Sequence, residues 1–333
     1  MNDMKAKIFA VLAAAVVAVP GGVAYAEPQA HAQEHGQAHR GHDSVRYAAI
    51  KSCGKDGDAK PCGDWRLVMH DGSQSVLHDA QTVALDVKGK KLVYASAPIA
   101  VSGNGQRVAY LTKTGKLAVR TLGGGVKVFA KDALPRVDQS NITLRLSDDG
   151  ARLAAVISGE KVQSTRVFDT ATGARLGSVP GNMIVLGFSG DGDEVLTSAD
   201  GDEGVTDLAV YSDAGEQLVR GTPPQVISSN SPQALSADGR TVASVVAGSK
   251  PQLVLYDMQS DQVVGRKKLT LPAGDIDMVD WTGDTQVTVH LVQYLESGNK
   301  MTIVQIDTET GAVKVRDRYR MLKGMFVFAA CGG

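Results

Sequence analysis

Aromatic residues are scarce in this chain of 333. It has two Trp, six Phe and eight Tyr, so Val, Ala and Leu must fill whatever core it builds. Charge of one sign is scarce as well. Thirty-five Lys and Arg stand against 36 Asp and Glu, a net charge of −1, which argues against broad electrostatic capture of nucleic acid or an anionic membrane. Only residues 8–19 form an apolar run of note, and that run is shorter than the ~20 residues of a membrane helix. No span of a bilayer is therefore expected. Long helical periodicity is missing, and so is a phosphate-cradling Gly loop, because Gly123-Gly124-Gly125 is followed by no helix pattern. What remains is an all-β reading with a globular share of hydrophobic residues, 43%.

The first residues read as an export signal. Lys5 and Lys7 precede the apolar run, and Ala24-Tyr25-Ala26 offers small residues for cleavage after Ala26. Removal of Asp3, Lys5 and Lys7 takes the net charge from −1 to −2. The protein is expected outside the cytoplasm. Residues 27–44 then form a polar linker that lacks an apolar face and reads as disordered. It carries His31, His35, His39 and His42, a weak candidate for transition-metal binding that Gly36 and Gly41 keep from aligning on a helix. Residues 45–333 are the folded domain.

Three cysteines are present. Cys53 and Cys62 bracket a polar loop, and in an exported protein a disulfide between them is the natural pairing. Their spacing is not C-x-x-C and no His lies in the loop, which disfavours a metal. Cys331 is left over, able to displace one partner if the chain ends meet in one sheet.

From Val45 onward one phrase recurs: an apolar residue, Ser, any residue, Asp or Asn, then Gly. It stands at Val101-Ser102-Gly103-Asn104-Gly105, Leu146-Ser147-Asp148-Asp149-Gly150, Phe188-Ser189-Gly190-Asp191-Gly192 and Leu235-Ser236-Ala237-Asp238-Gly239, with a worn copy at Trp281-Thr282-Gly283-Asp284. The anchors at 102, 147, 189, 236 and 282 are 45, 42, 47 and 46 residues apart, the period of one four-stranded propeller blade. Asp-Gly and Asn-Gly permit the backbone of a tight reversal. A second turn follows about 19 to 25 residues later at Asp169-Thr170-Ala171-Thr172-Gly173, Ser212-Asp213-Ala214-Gly215, Asp257 and Asp307-Thr308-Glu309-Thr310-Gly311. Each period therefore holds strands a, b, c and d. Five periods leave 45–97 and 323–333, which together offer strands for one blade built from both termini. Six blades are expected, or seven if 45–97 folds as more than one sheet. Closing the ring removes strand edges, and a monomer is expected.

The Ser-x-Asp-Gly phrases and the Asp-x-x-Thr-Gly turns resemble those of secreted bacterial WD-repeat-like propellers of the TolB and YVTN types, over about 225 residues. Neither the Gly-His nor the Trp-Asp dipeptides of eukaryotic WD repeats stand in register. The resemblance implies a propeller of the kind that usually serves as a binding platform, and it assigns no activity, since enzymes share the shape.

Antiparallel alternation puts the a–b and c–d turns on one face and the b–c and d–a connections on the other. The regular phrases look like scaffold. The irregular connections 130–141, 198–205, 221–232 and 293–300 are where recognition is expected. The candidate ligand or partner residues are Arg136, Asp138, Asp200, Asp202, Glu203, Tyr294 and Glu296.

Catalytic constellations are hard to find. Gly187-Phe188-Ser189-Gly190 opens like a nucleophile elbow, but Asp191 stands where Gly is required. His70, His78 and His290 are far apart in sequence, and no calcium loop of the D-x-D-x-D-G type occurs. The innermost strands read as aliphatic, with Asp277 and Asp280 their only carboxylates. The expectation is a non-catalytic module, without cofactor, that binds a protein, peptide or cell-envelope glycan. The alternative is a lactonase-like hydrolase or sugar-dehydrogenase-like oxidoreductase with a site in the central channel.

Overall fold

Four hydrogen bonds recur at the phrase turns and explain why they fold alike. In the first three copies the Ser Oγ donates to the Asn or Asp side chain two residues on, at 2.7–2.8 Å. The same Oγ accepts the backbone N–H five residues on, at 2.9–3.0 Å. The Ser N–H bonds the carbonyl of that fifth residue, and the Gly N–H bonds the Ser carbonyl. In the fourth copy the Asp238 carboxylate takes over from the hydroxyl and accepts the Thr241 N–H at 2.8 Å. The worn copy is one residue tighter, since the Thr282 N–H reaches Gln286. Each Ser lies buried, so the hydroxyl satisfies a backbone group that water cannot reach.

The computed structural model describes residues 44–54, 58–160, 163–201, 205–296 and 298–331. The expected leader 1–26, the four linker histidines, and Asp202 and Glu203 lie outside the described residues. Six four-stranded antiparallel sheets form, together with one two-stranded ribbon. Blade 1 pairs Met325–Ala330 with Val45–Cys53, Lys60–Met69 and Gln74–Leu77, so both ends of the chain share one sheet. Blade 2 runs Ile99–Val101, Arg107–Leu111, Leu117–Thr121 and Val126–Val128. Blades 3 to 6 start at Ile142–Leu146, Ile184–Phe188, Gln233–Leu235 and Asp275–Trp281, and each adds its next three strands outward.

Six hydrophobic clusters hold the sheets together, one for each pair of neighbouring blades. The cluster between blades 6 and 1 joins Val292, Met301 and Tyr319 to Tyr47, Ala49 and Val68, and thereby closes the ring. The second strand of each blade is buried on both faces, as in Arg152–Ser158. A strand sandwiched between two sheets presents apolar residues to each, which accounts for the Val, Ala and Leu-rich runs.

Residues 45–97 do fold as more than one sheet, yet the count of six blades stands. Lys91–Ser96 leaves blade 1 and pairs with Val83–Leu85 as a ribbon. The ribbon belongs to the connection between blades 1 and 2 and is no blade. The strand at 194 also runs on to Asp200, so the loop expected from 198 begins later. The disulfide joins Cys53 to Cys62 across the b–c connection of blade 1, and Cys331 is free and buried.

Candidate functional site

The two faces differ in how they meet their backbone polar groups. On the repeated-turn face blades 1 to 4 grip one another in turn. The Val45 N–H donates to Gly105 O and the Asn104 N–H to Asp148 O, both at 2.8 Å. The Thr170, Asp213, Met258 and Thr308 N–H groups each bond a carbonyl beside the preceding turn of their own blade. Arg107 of blade 2 reaches the Gly150 carbonyl and the Thr170 hydroxyl of blade 3. Arg152 of blade 3 spans Asp169, Asp193 and Asp213. These turns thereby meet many of their own polar groups, and a cavity of about 500 Å³ opens between blades 1 and 2 beside the turn at Gly123.

The other face carries the ribbon. Its outer edge is held by side chains of the 3-10 turn Gln139–Asn141 and the residue before it. Leu85 N–H donates to Gln139 Oε1 at 2.8 Å and Val87 N–H to Asp138 Oδ1 at 2.7 Å. The Trp65 indole donates to Gln81 O at 3.0 Å, and Gln81 Nε2 to Val83 O at 2.7 Å. Tyr94 Oη donates to Asp58 Oδ1 at 2.8 Å, tying the ribbon to the disulfide-closed loop. An edge strand capped by side chains is not open for pairing. Beside the ribbon's turn lies a cleft of about 260 Å³ between the ribbon, the blade 2 b–c turn and 130–137. Leu85, Leu117, Leu134 and Ile142 line it, and Lys88, Lys116, Lys131 and Arg136 stand around it.

The central channel is less aliphatic than its strands suggest. Arg145 and Asp280 face a void of about 20 Å³ with Ser147, Asp148 and Ser189. Burial pushes the Asp280 carboxyl up to about 8, Asp148 adds to the rise and Arg145 opposes it. Asp280 Oδ2 has no hydrogen-bond partner. Burial also draws the Arg145 guanidinium down, with Asp280 opposing. The Cys331 thiol nearby is buried, which pushes it up to about 12. The void has room for about one water and for no larger substrate.

Between blades 6 and 1 an ion-pair clasp closes the ring. Arg46 Nε donates to Asp317 Oδ2 at 2.8 Å, and its Nη2 reaches Asp317 Oδ1 at 3.3 Å and the His70 carbonyl at 2.8 Å. The guanidinium lies over the Tyr319 ring at 4.7 Å, which itself stacks on Tyr47 at 5.4 Å. Burial opposes the charge on Asp317, yet His70 at 3.4 Å and Arg46 hold its carboxyl below the ordinary value. His78 is 79% exposed beside Asp64, and His290 is buried, so the three imidazoles do not converge.

Of the expected ligand residues that are among the described ones, Arg136 alone lines the cleft. Asp138 is engaged with the ribbon backbone. Asp200 ends its strand on the same face, and Tyr294 and Glu296 are exposed on the blade 6 b–c connection. Lys88, Lys116 and Lys131 escaped sequence reasoning because each sits in a separate turn with no motif around it. Arg145 left a faint trace, for Thr143, Arg145 and Ser147 alternate along an otherwise apolar strand.

No protein-family profile matches the chain, and no curated protein matches it. Solved structures do. A TolB from Acinetobacter baumannii is 16% identical, with TM-score 0.43 over 82% of this chain and 66% of that one. A TolB from Agrobacterium tumefaciens is 14% identical, with TM-score 0.42 over 73% and 90%. A chain of the hydrazine synthase of Kuenenia stuttgartiensis is 16% identical, with TM-score 0.38 over 68% and 67%. The six sheets and their six shared cores establish the propeller independently of these matches, which carry no activity across.

Proposed function

We propose that this chain is an exported, non-catalytic propeller that binds a protein, peptide or cell-envelope ligand through the face bearing the ribbon. The observation that carries the reading is the contrast in polar satisfaction. The repeated turns consume their own donors and acceptors, whereas the opposite face presents a cleft and exposed side chains such as Tyr294, 67% exposed, and Leu295, 42%. Loops on a rigid ring keep such groups in fixed relative positions, which favours recognition. Export is supported by the leader pattern and by the disulfide, which persists in oxidising compartments. No helix among the described residues is long and apolar enough to cross a membrane. The channel does gather three ionisable groups, the convergence that the enzyme alternative calls for, but around a void of only about 20 Å³.

A photo-cross-linking residue placed at 294 or 131 on one face, and at 171 or 309 on the other, tests the reading in the producing cell. Adducts are expected from 294 and 131. Adducts confined to 171 and 309, or none from any position, overturn it.

A further inference from the structure

Resting on that reading, we infer that the cleft beside the ribbon takes an extended acidic segment of a partner protein with apolar residues between its carboxylates. Three stretches far apart in the chain build the cleft: the ribbon turn at 86–90, the b–c turn at 112–116 and the connection 130–137. Each supplies cations to its rim. Lys88 comes from the first, Lys116 from the second, Lys131 and Arg136 from the third, and all four are exposed. None of them makes an ion pair or a side-chain hydrogen bond among the described residues. Elsewhere Arg46, Arg107, Arg120, Arg152 and Arg220 are engaged in ion pairs or hydrogen bonds.

The acids nearby do not cancel them. Asp86 accepts the Lys88 and Lys90 backbone N–H groups of its own turn, and Asp138 accepts Val87. Among the lining residues one carboxylate, Asp86, faces four cations, with Asp132 and Asp138 in the adjoining connection. Between the cations the lining is Leu85, Leu117, Leu134 and Ile142, which suits an aliphatic side chain. Charges spread around an apolar centre match a chain whose carboxylates alternate with apolar residues better than one compact headgroup. Arg136 can take a carboxylate in a fork, while the lysines act as point charges.

Fluorescence anisotropy of the purified protein tests this with three probes: a short labelled peptide alternating Glu and Leu, its Gln–Leu counterpart, and phosphatidylglycerol vesicles. The Glu–Leu peptide is expected to bind about tenfold more tightly than the Gln–Leu peptide, with affinity falling as salt rises. Lys131→Glu with Arg136→Glu is expected to weaken it by about tenfold or more at an unchanged melting temperature. If that pair disturbs folding, Lys88→Gln with Lys116→Gln gives the same comparison. Equal binding of both peptides, an affinity indifferent to these substitutions, or binding to vesicles in place of the peptide overturns the proposal. Adducts from 294 without peptide binding would sink this inference and leave the face assignment standing. Absence of adducts from the whole face removes both.

Discussion

The repeated-turn face and the ribbon face are built on the same strands, yet one is closed upon itself and the other is not. At Gly105 the backbone has φ +67°, and a Cβ would come within 2.4 Å of the Val45 carbonyl of the adjoining blade. At Gly89, in the ribbon turn, φ is +84° and a Cβ would meet nothing within 4 Å. Both positions need a left-handed backbone. Only the first also needs the missing side chain, because there the turn is part of the joint between blades. At these two positions the regular turn is constrained by the neighbouring blade, and the ribbon turn by its own backbone alone.

The sharpest test of this contrast is Gly105→Ala, expected to cost about 3 kcal/mol in urea unfolding, from αL strain and displacement of Val45. Next is Asp317→Asn at the clasp, which leaves the half-buried Arg46 without its charged partner at a cost of about 2 kcal/mol. The sign with pH follows from the direction of the shift. The Asp317 carboxyl lies below its ordinary value when folded, so its contribution is complete above the unfolded value and fades as pH falls through the folded one. The variant should therefore show a flatter loss of stability below about pH 4.

Asp280 has the opposite sign. Its carboxyl stands at about 8 when folded, so the folded protein keeps a proton that the unfolded chain has released between about pH 4 and that value. Stability declines with rising pH across this window and levels off above it. Asp280→Asn removes the decline, so its gain over the parent grows from about pH 4 to about pH 8, read from urea midpoints at the two values. Gly89→Ala should cost about 1 kcal/mol, backbone strain without a clash. A cost equal to that of Gly105→Ala would erase the distinction between the faces. Smallest of all, Tyr294→Ser should change stability by less than about 0.5 kcal/mol, and a larger loss would mean that this loop supports the ring.

How far the fold was legible depended on whether a residue's partner lay in its own repeat. Ser102, Ser147 and Ser189 bond groups two and five residues away, so the turn and its phase can be read from the phrase. The Cys53 and Cys62 pairing was legible for the same reason, being local. Lys91–Ser96 reads as a strand and is one, but its departure from blade 1 depends on Gln139 and Asp138 some 50 residues on. The cleft was less legible still. Arg136 was accessible as an irregular-loop cation, whereas Lys88 and Lys116 acquire meaning only from the way two distant turns approach it.

The amino-acid order by itself determined the repeat, the all-β architecture and the closure of the ring by both chain ends, because these follow from local turn chemistry and strand patterning repeated at a fixed interval. That there are six blades and not seven was settled by the fold. Only the tertiary structure decided which cations share a cleft, that Arg145 and Asp280 meet in the channel, and that Arg46 and Asp317, 271 residues apart, lock the ring. Charges interact through space at distances that a chain's numbering does not encode, and curling sheets around an axis is what brings these groups within reach of one another.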